Sequence, residues 1–266
     1  MSRKNDPTGY DEADNMQLNG QRTAGSVLPP PRPFLKWPGG KWRLLNKIVP
    51  HLPAHIRRYH EPFIGGGALF FWLRRHGFRG PAYISDANEE LIRAYRAVQQ
   101  DPAPVIAAFE RHAGAHCKGY YEELCGQQPD SLADADVAGR MLYLNRACYN
   151  GLYRQNRSGK FNVAWGNKEK VTLDHGRIQA AHEALQNTTI TKGDFTAVLS
   201  SVSEGDLVYA DPPYPNGFRT YTAGGFGDER QAHLAQACGV IDQMGAISSS
   251  ATVIVDSSGI STPCST

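Results

Sequence analysis

Short apolar segments alternate with helical segments along most of this chain, and few architectures accommodate that alternation. The strand candidates are 58–63, 82–85, 188–192, 206–210 and 252–255. Helical candidates lie between or beside them at 41–49, 68–76, 88–100 and 229–244. Strands that alternate with helices form a mainly parallel sheet with helices on both faces. The sequence therefore predicts an α/β fold with a doubly wound, Rossmann-like sheet.

The spacing of the strand candidates predicts how the chain is divided. The second and third candidates are separated by residues 86–187, far more than one crossover helix requires. We therefore predict one main domain from 33–100 and 186–266, with an inserted subdomain of helices and a hairpin at 101–185. Residues 1–32 are polar, lack apolar periodicity and end in a proline run, which predicts a disordered extension.

Composition excludes several classes of protein. No run of 18 apolar residues is present and the N-terminus lacks an apolar core, so we expect neither a membrane span nor a secretory signal. The 5 cysteines are an odd set without a CxxC pair, and no HExxH spacing occurs. These features favour a reducing compartment, the cytoplasm, and argue against disulfides and a bound metal.

Basic residues are concentrated in two regions although the net charge is only +2. They are Arg32, Lys36, Lys41, Arg43 and Lys47 in the first region, and Arg140, Arg146, Arg154, Arg157, Lys160, Lys168 and Lys170 in the second. Such a cluster is either a solvated charged face or a binding surface for a polyanion. Interleaved tryptophans and tyrosines favour the polyanion.

Two strand candidates end in residues that are typical of a nucleotide site. In a parallel sheet, ligands bind at the carboxyl ends of the strands. The first candidate runs into Gly65-Gly66-Gly67, and Asp86 ends the second about 20 residues later, where a carboxylate can accept hydrogen bonds from a ribose. A simple tight turn and a helix N-cap are the alternatives. Together the two ends indicate an adenosine-containing cofactor, either a nicotinamide nucleotide or S-adenosylmethionine.

The fourth strand candidate ends in Asp211-Pro212-Pro213-Tyr214. The prolines are rigid and donate no backbone hydrogen bond, while their carbonyls remain acceptors. Acceptors beside an aromatic ring suit a planar base that carries an amino group. Its amino protons would donate to Asp211 and to the Pro212 carbonyl, and its ring would stack on Tyr214. The amino nitrogen could then attack a methyl sulfonium, which favours S-adenosylmethionine as the cofactor.

Four motifs together resemble those of the Dam-like DNA adenine-N6 methyltransferases. They are "FLKWPGGK", "EPFIGGG", "NRACYNGLYRQNRSGKFNVAWG" and "DPPY", and the resemblance extends over about residues 34 to 256. It implies the methyltransferase version of the doubly wound sheet. It also implies that S-adenosylmethionine contacts a set of residues at the strand ends and in the first motif. These are Trp37, Lys41, Phe63, Gly65, Gly67, Asp86, Asp194, Phe195 and Asp211.

The resemblance further implies that the chain binds double-stranded DNA and flips the target adenine out of the helix. The insertion would recognise the target. Arg154 would contact a guanine edge, Leu152 a thymine methyl, and Lys36 a guanine beside the target. Tyr149 would wedge into the base stack, and the adjacent Asn150 would also contact DNA. These matches favour a GATC-like site, although ordinary hairpin packing is an alternative for Tyr149 and Leu152.

The segment after Val255 departs from the family pattern. The resemblance implies two further strands, whereas the polar stretch "DSSGISTPCST" follows, so we expect missing C-terminal strands, lowered stability and weak activity. A cytosine-N4 methyltransferase and an inactive DNA-binding remnant remain alternatives to the adenine enzyme. We expect a monomer.

Overall fold

The structure is a computed structural model. It describes residues 28–156, 158–193, 195 and 201–212, together with the backbone of 252–255. The strands are β1 Tyr59–Glu61, β2 Ala82–Asp86, β3 Thr188–Lys192, β4 Leu207–Ala210 and β5 Thr252–Val255. The helices are α1 Leu45–Ile48, α2 Ala68–Arg75, α3 Glu89–Gln100, α4 Pro102–Gly114, α5 Lys118–Gly126, α6 Asp134–Ala147 and α7 His175–Ala184.

The strands form one parallel sheet in the order β3-β2-β1-β4-β5. The first strand lies in the middle, and the chain adds strands outward on one side and then on the other. This is the doubly wound arrangement, so the predicted fold class is confirmed. Because every pair is parallel, the carboxyl ends of β2, β1 and β4 meet side by side at one edge.

Burial and proline explain the strand boundaries. All four residues of β4 are buried, as expected for a central strand with both faces covered. The predicted strand 58–63 is shortened to Tyr59–Glu61. Pro62 has no N–H to donate to the ladder, so the strand ends before it.

The predicted helix at 41–49 is replaced by three short helical pieces. A 3₁₀ helix spans Lys41–Leu44, α1 supplies one α-helical turn, and a second 3₁₀ helix spans Val49–His51. Pro50 prevents a regular continuation because it lacks an N–H and restricts the residue before it.

The amino-terminal edge of the sheet is fixed by the buried carboxylate of Asp206. Both carboxylate oxygens lie 3.0 Å from Arg58 Nε, and Oδ2 lies 3.0 Å from His60 Nε2. Burial opposes ionisation, but hydrogen bonds from Arg58 and Ser203 hold the pKa of Asp206 below its usual value. The ion pair clamps β1 to β4 at the edge opposite the strand ends that carry the site motifs.

The helices of 101–185 pack on the same core as the sheet. Helix α6 is buried along most of its length and lies against α3 and α4. Its apolar side chains belong to one hydrophobic cluster with those of β1, β2 and α2. The division into a catalytic part and a recognition part therefore stays a prediction about roles.

Several predictions fall on residues outside the described ones. Most of the disordered extension predicted at 1–32, the helix predicted at 229–244 and the segment after Val255 are among them.

Candidate active site

The motif "WPGGK" forms a tight turn that directs the side chains of Trp37 and Lys41 toward the strand ends. Gly40 N–H donates to Trp37 O at 3.1 Å, and Gly39 has φ +75°. Proline at the second position and a glycine with positive φ at the third are typical of a type II turn. Lys41 follows the turn, and its side chain is almost completely buried.

The glycine motif is a close-packed turn between β1 and α2. Gly65 and Gly67 both have positive φ, at +45° and +70°. A Cβ on Gly65 would lie 2.7 Å from the Trp37 indole, and one on Gly67 would lie 2.8 Å from the Tyr95 hydroxyl. Both positions therefore require glycine for backbone conformation and for space.

Asp86 ends β2 and supports this turn. Its carboxylate accepts hydrogen bonds from Gly65 N–H at 3.1 Å and from Asn88 N–H at 2.9 Å. Burial raises the pKa of Asp86, while these backbone donors oppose the rise. The N-cap alternative for Asp86 is wrong, because the side chain that caps α3 is Asn88, which accepts from Leu91 N–H.

Asp211 follows β4 and forms an ion pair with Lys41. The Lys41 Nζ atom lies 2.5 Å and 2.6 Å from the two carboxylate oxygens. Only 6% of the Lys41 side chain and 19% of the Asp211 side chain are exposed, so the pair is largely shielded from water. Lys41 of "WPGGK" and Asp211 of "DPPY", which are far apart in sequence, therefore meet in the fold.

A third carboxyl group, Glu61, ends β1 between the other two strand ends. It is 2% exposed and accepts a hydrogen bond from the Tyr59 hydroxyl at 2.7 Å. Burial raises the pKa of Glu61 well above its usual range, and the charges of Asp211 and Asp86 add to the rise. The sequence prediction missed Glu61, although an acid before a proline at a strand end also occurs at Asp211-Pro212.

The remaining cofactor-site predictions are only partly covered by the structure. The rings of Phe63 and Phe195 lie together, with their centroids 5.7 Å apart. Asp194, Pro213 and Tyr214 are outside the described residues. The roles assigned to these five residues, like those of the other predicted site residues, stay predictions.

The segment predicted to contact DNA folds back on itself as an irregular hairpin between α6 and α7. Antiparallel bridges join Cys148 to Trp165 and Gln155 to Phe161. Tyr149 and Leu152 are 57% and 44% exposed, which is rare for large apolar side chains in this chain's described part. Because both side chains face solvent, hairpin packing does not account for them.

The side chain of Asn145 joins the start of this hairpin to Lys36, the residue before Trp37. The buried Asn145 side chain accepts from Lys36 N–H at 2.9 Å and donates to Lys36 O at 2.9 Å and to Gly151 O at 3.0 Å. Asn150 and Gly151 have positive φ, and a Cβ on Gly151 would lie 2.5 Å from the Lys36 side chain. Lys36, Asn150 and the exposed Tyr149 are thus brought together. Sequence reasoning assigned no role to Asn145, although Asn145 is the first residue of the motif "NRACYNGLYRQNRSGKFNVAWG".

Comparisons with known proteins agree with this arrangement. The family model described as D12 class N6 adenine-specific DNA methyltransferase matches residues 37–257. The chain belongs to this family. It is 37% identical to "Type II methyltransferase M1.LlaDCHI" of Lactococcus lactis subsp. cremoris, over 80% of this chain and 78% of that protein. It is 31% identical to "DNA adenine methylase" of Escherichia coli (strain K12), over 77% of this chain and 74% of that protein.

Membership confirms the predicted adenine-specific DNA methyltransferase and sets aside the cytosine-N4 alternative. The substrate of such an enzyme is DNA. Within the described residues, no helix is long and apolar enough to cross a membrane.

The basic residues of this methyltransferase do not all form a DNA surface, contrary to the prediction. Arg140 is 1% exposed and pairs with Glu90 at 3.1 Å, so it cannot reach a phosphate. Lys41 is buried and paired with Asp211, and Arg32 is buried over the Trp42 ring. Exposed basic side chains remain at positions that include Arg43, Lys47, Lys168 and Lys170.

Proposed function

We propose that this methyltransferase transfers a methyl group from S-adenosylmethionine to N6 of an adenine that is flipped out of double-stranded DNA, within a GATC-like site. The observation that carries the proposal is the position of Asp211. Its carboxylate lies at the carboxyl edge of the sheet, where β4 adjoins the strand that leads into the glycine turn, and Lys41 holds it in place.

The residues at this edge fit S-adenosylmethionine. The glycine turn has no side chains to block a close approach, and Asp86 offers carboxylate lone pairs to ribose hydroxyls. The Phe63 and Phe195 rings are suitable apolar contacts for an adenine. The Trp37 side chain packs against the turn at Gly65 and Gly66. When bound, S-adenosylmethionine supplies an electrophilic methyl group on a sulfonium centre.

The protein's own contribution is to orient the target amino group and to exclude water. Asp211 and the Pro212 carbonyl would accept hydrogen bonds from the two amino N–H groups, which directs the nitrogen lone pair away from them. Lys41 pairs with the Asp211 carboxylate and fixes its position where water has little access. Tyr214 would stack on the flipped ring. Orientation and desolvation account for catalysis by these groups, without a covalent nucleophile.

The hairpin and the first motif would recognise the duplex. The exposed Tyr149 ring is positioned to enter the base stack, and the exposed Leu152 is available to a thymine methyl. Arg154 donates its Nε–H to Asn162 O at 2.8 Å, which leaves its terminal amino groups for a guanine edge. Exposed Arg43 and Lys47 would contact phosphates. We propose that a monomer binds the duplex.

Transfer of tritium from labelled S-adenosylmethionine, followed by nucleoside analysis, tests the chemistry. Duplexes should carry one GATC site, the same site with one base pair changed, or N6-methyladenine at the target. We expect label in N6-methyladenine only with the unmodified GATC duplex. Asp211→Asn should reduce the rate by at least about 100-fold, while Lys118→Gln, at an exposed position of α5 outside both basic regions, should not.

Each alternative gives a distinct result. Label in N4-methylcytosine would refute the adenine target, and no label under saturating cofactor and duplex would favour the inactive remnant. Equal label in the changed duplex would refute the GATC-like specificity while leaving the chemistry intact.

A further inference from the structure

We propose that Tyr153 is a positioning residue that couples DNA recognition to cofactor binding. The inference rests on the proposed function and concerns the recognition segment, defined as residues 149–154. Tyr153 lies inside this segment, between Leu152 and Arg154, yet it is 2% exposed and points away from the solvent-facing surface.

The first contact of Tyr153 is with Trp37, the residue that packs against the glycine turn. Its ring stacks on Trp37 with centroids 4.6 Å apart and an interplanar angle of 22°. Trp37 in turn lies directly over the turn, because a Cβ on Gly65 would be 2.7 Å from its ring and one on Gly66 3.1 Å from its Cβ. A shift of Tyr153 would therefore change the space above the glycines.

The second contact is with the residue that supports the candidate ribose carboxylate. The Asn88 side chain donates to the Tyr153 hydroxyl at 3.2 Å. The backbone of the same asparagine donates to Asp86 at 2.9 Å, and its side-chain oxygen caps α3. Tyr153 thus contacts both sides of the pocket, through Trp37 and through Asn88.

Neighbouring contacts make this connection stiff. Two residues along, Gln155 Nε2 donates to Glu90 Oε1 at 2.8 Å, in the first turn of α3. The Phe161 ring packs edge-on against Tyr153, with the ring centroids 5.7 Å apart. When DNA displaces Leu152 or Arg154, the buried ring between them cannot stay in place independently. Ordering of the segment by DNA is therefore transmitted to the cofactor pocket.

The test measures the coupling itself. The dissociation constant of S-adenosylhomocysteine is determined by calorimetry, with and without a saturating duplex that carries one GATC site. The ratio of the two constants is the coupling factor, and by linkage it also describes the effect of the cofactor on DNA affinity. We expect a factor of about 10 for the wild type, within the usual range for coupled sites.

Three variants separate coupling from stability. Tyr153→Leu removes the stack and the hydroxyl, and should lower the factor to about 2 or less. Tyr153→Phe keeps the stack and loses only the Asn88 contact, so about 3 is expected. The control is Tyr121→Phe, because Tyr121 is as buried as Tyr153 and its hydroxyl donates to Val163 O of the hairpin at 2.7 Å. Its factor should equal that of the wild type.

The outcomes are distinct. A wild type that binds both ligands with a factor of 1 would overturn this inference alone, as would an unchanged factor in Tyr153→Leu. If Tyr153→Leu does not fold, Tyr153→Phe decides, and a wild-type factor there overturns the proposal. A wild type that binds neither ligand would instead refute the proposed function.

Discussion

Replacing Asn145 with leucine should destabilise the protein and weaken DNA binding through one side chain that never touches DNA. The substitution is close in size but removes all three hydrogen bonds of the buried amide. It leaves Lys36 N–H, Lys36 O and Gly151 O without that partner. Lys36, which precedes Trp37, and Gly151, which lies in the hairpin, would no longer be held together by this side chain.

The expected cost follows from the burial of these groups. An unpaired buried polar group costs about 1–3 kcal/mol. Lys36 is only half-buried, so water can partly replace the amide, and about 1 kcal/mol for each of its two groups is reasonable. The Gly151 carbonyl is buried, and about 2 kcal/mol applies there. The sum of about 4 kcal/mol is a large part of the 5–15 kcal/mol typical of a domain.

The assay combines denaturant unfolding with duplex binding at a temperature where the variant is folded. Leu142→Ala is the matched control, because Leu142 is fully buried on the same helix and its truncation costs about 2–5 kcal/mol. We expect Asn145→Leu to weaken affinity for a GATC duplex about 10-fold, equivalent to one good base contact, and Leu142→Ala to leave it within about twofold. Equal affinities in the two variants, or a stability loss below about 1 kcal/mol, would refute the reasoning.

Three further predictions concern the pocket and the core. Burial raises the folded-state pKa of Glu61, so its stabilising contribution is present below the unfolded value and is lost as pH rises. Glu61→Gln should therefore gain stability relative to wild type as the pH is raised above about 4.3, the usual glutamate value. A pH-independent difference in denaturant midpoints would contradict this. Gly65→Ala should weaken S-adenosylhomocysteine binding at least about 10-fold in calorimetry, because the added methyl group collides with the Trp37 indole. The control is Gly77→Ala: Gly77 also has positive φ but lies in open space, so binding should be unchanged. Arg140→Met should lower the free energy of unfolding, measured by thermal unfolding, by about 3–5 kcal/mol. Adding Glu90→Gln should recover part of this loss, because it removes the charge left without a partner. A double variant less stable than Arg140→Met alone would refute that account.

The sheet could be predicted from sequence because each strand carries its own signal. A central parallel strand such as Leu207–Ala210 is buried on both faces, so it reads as a short apolar run. The strand ends were equally readable, since Asp86 and Asp211 each follow such a run directly. The helix at 41–49 was the exception, where Pro50 outweighed the apolar periodicity.

The connections within the site could not be predicted, because they depend on contacts between distant residues. Asn145 lies in a helix whose sequence gives no reason to assign it a partner at Lys36, and Tyr153 reads as one more aromatic residue in a hairpin. The same limit explains why Arg140 was assigned to DNA: a basic residue near other basic residues indicates a polyanion surface until its neighbours are known. Burial beside Glu90 reverses that assignment. Local sequence thus identifies the groups that carry the chemistry, whereas the fold alone determines which charged and aromatic side chains remain available to the substrate.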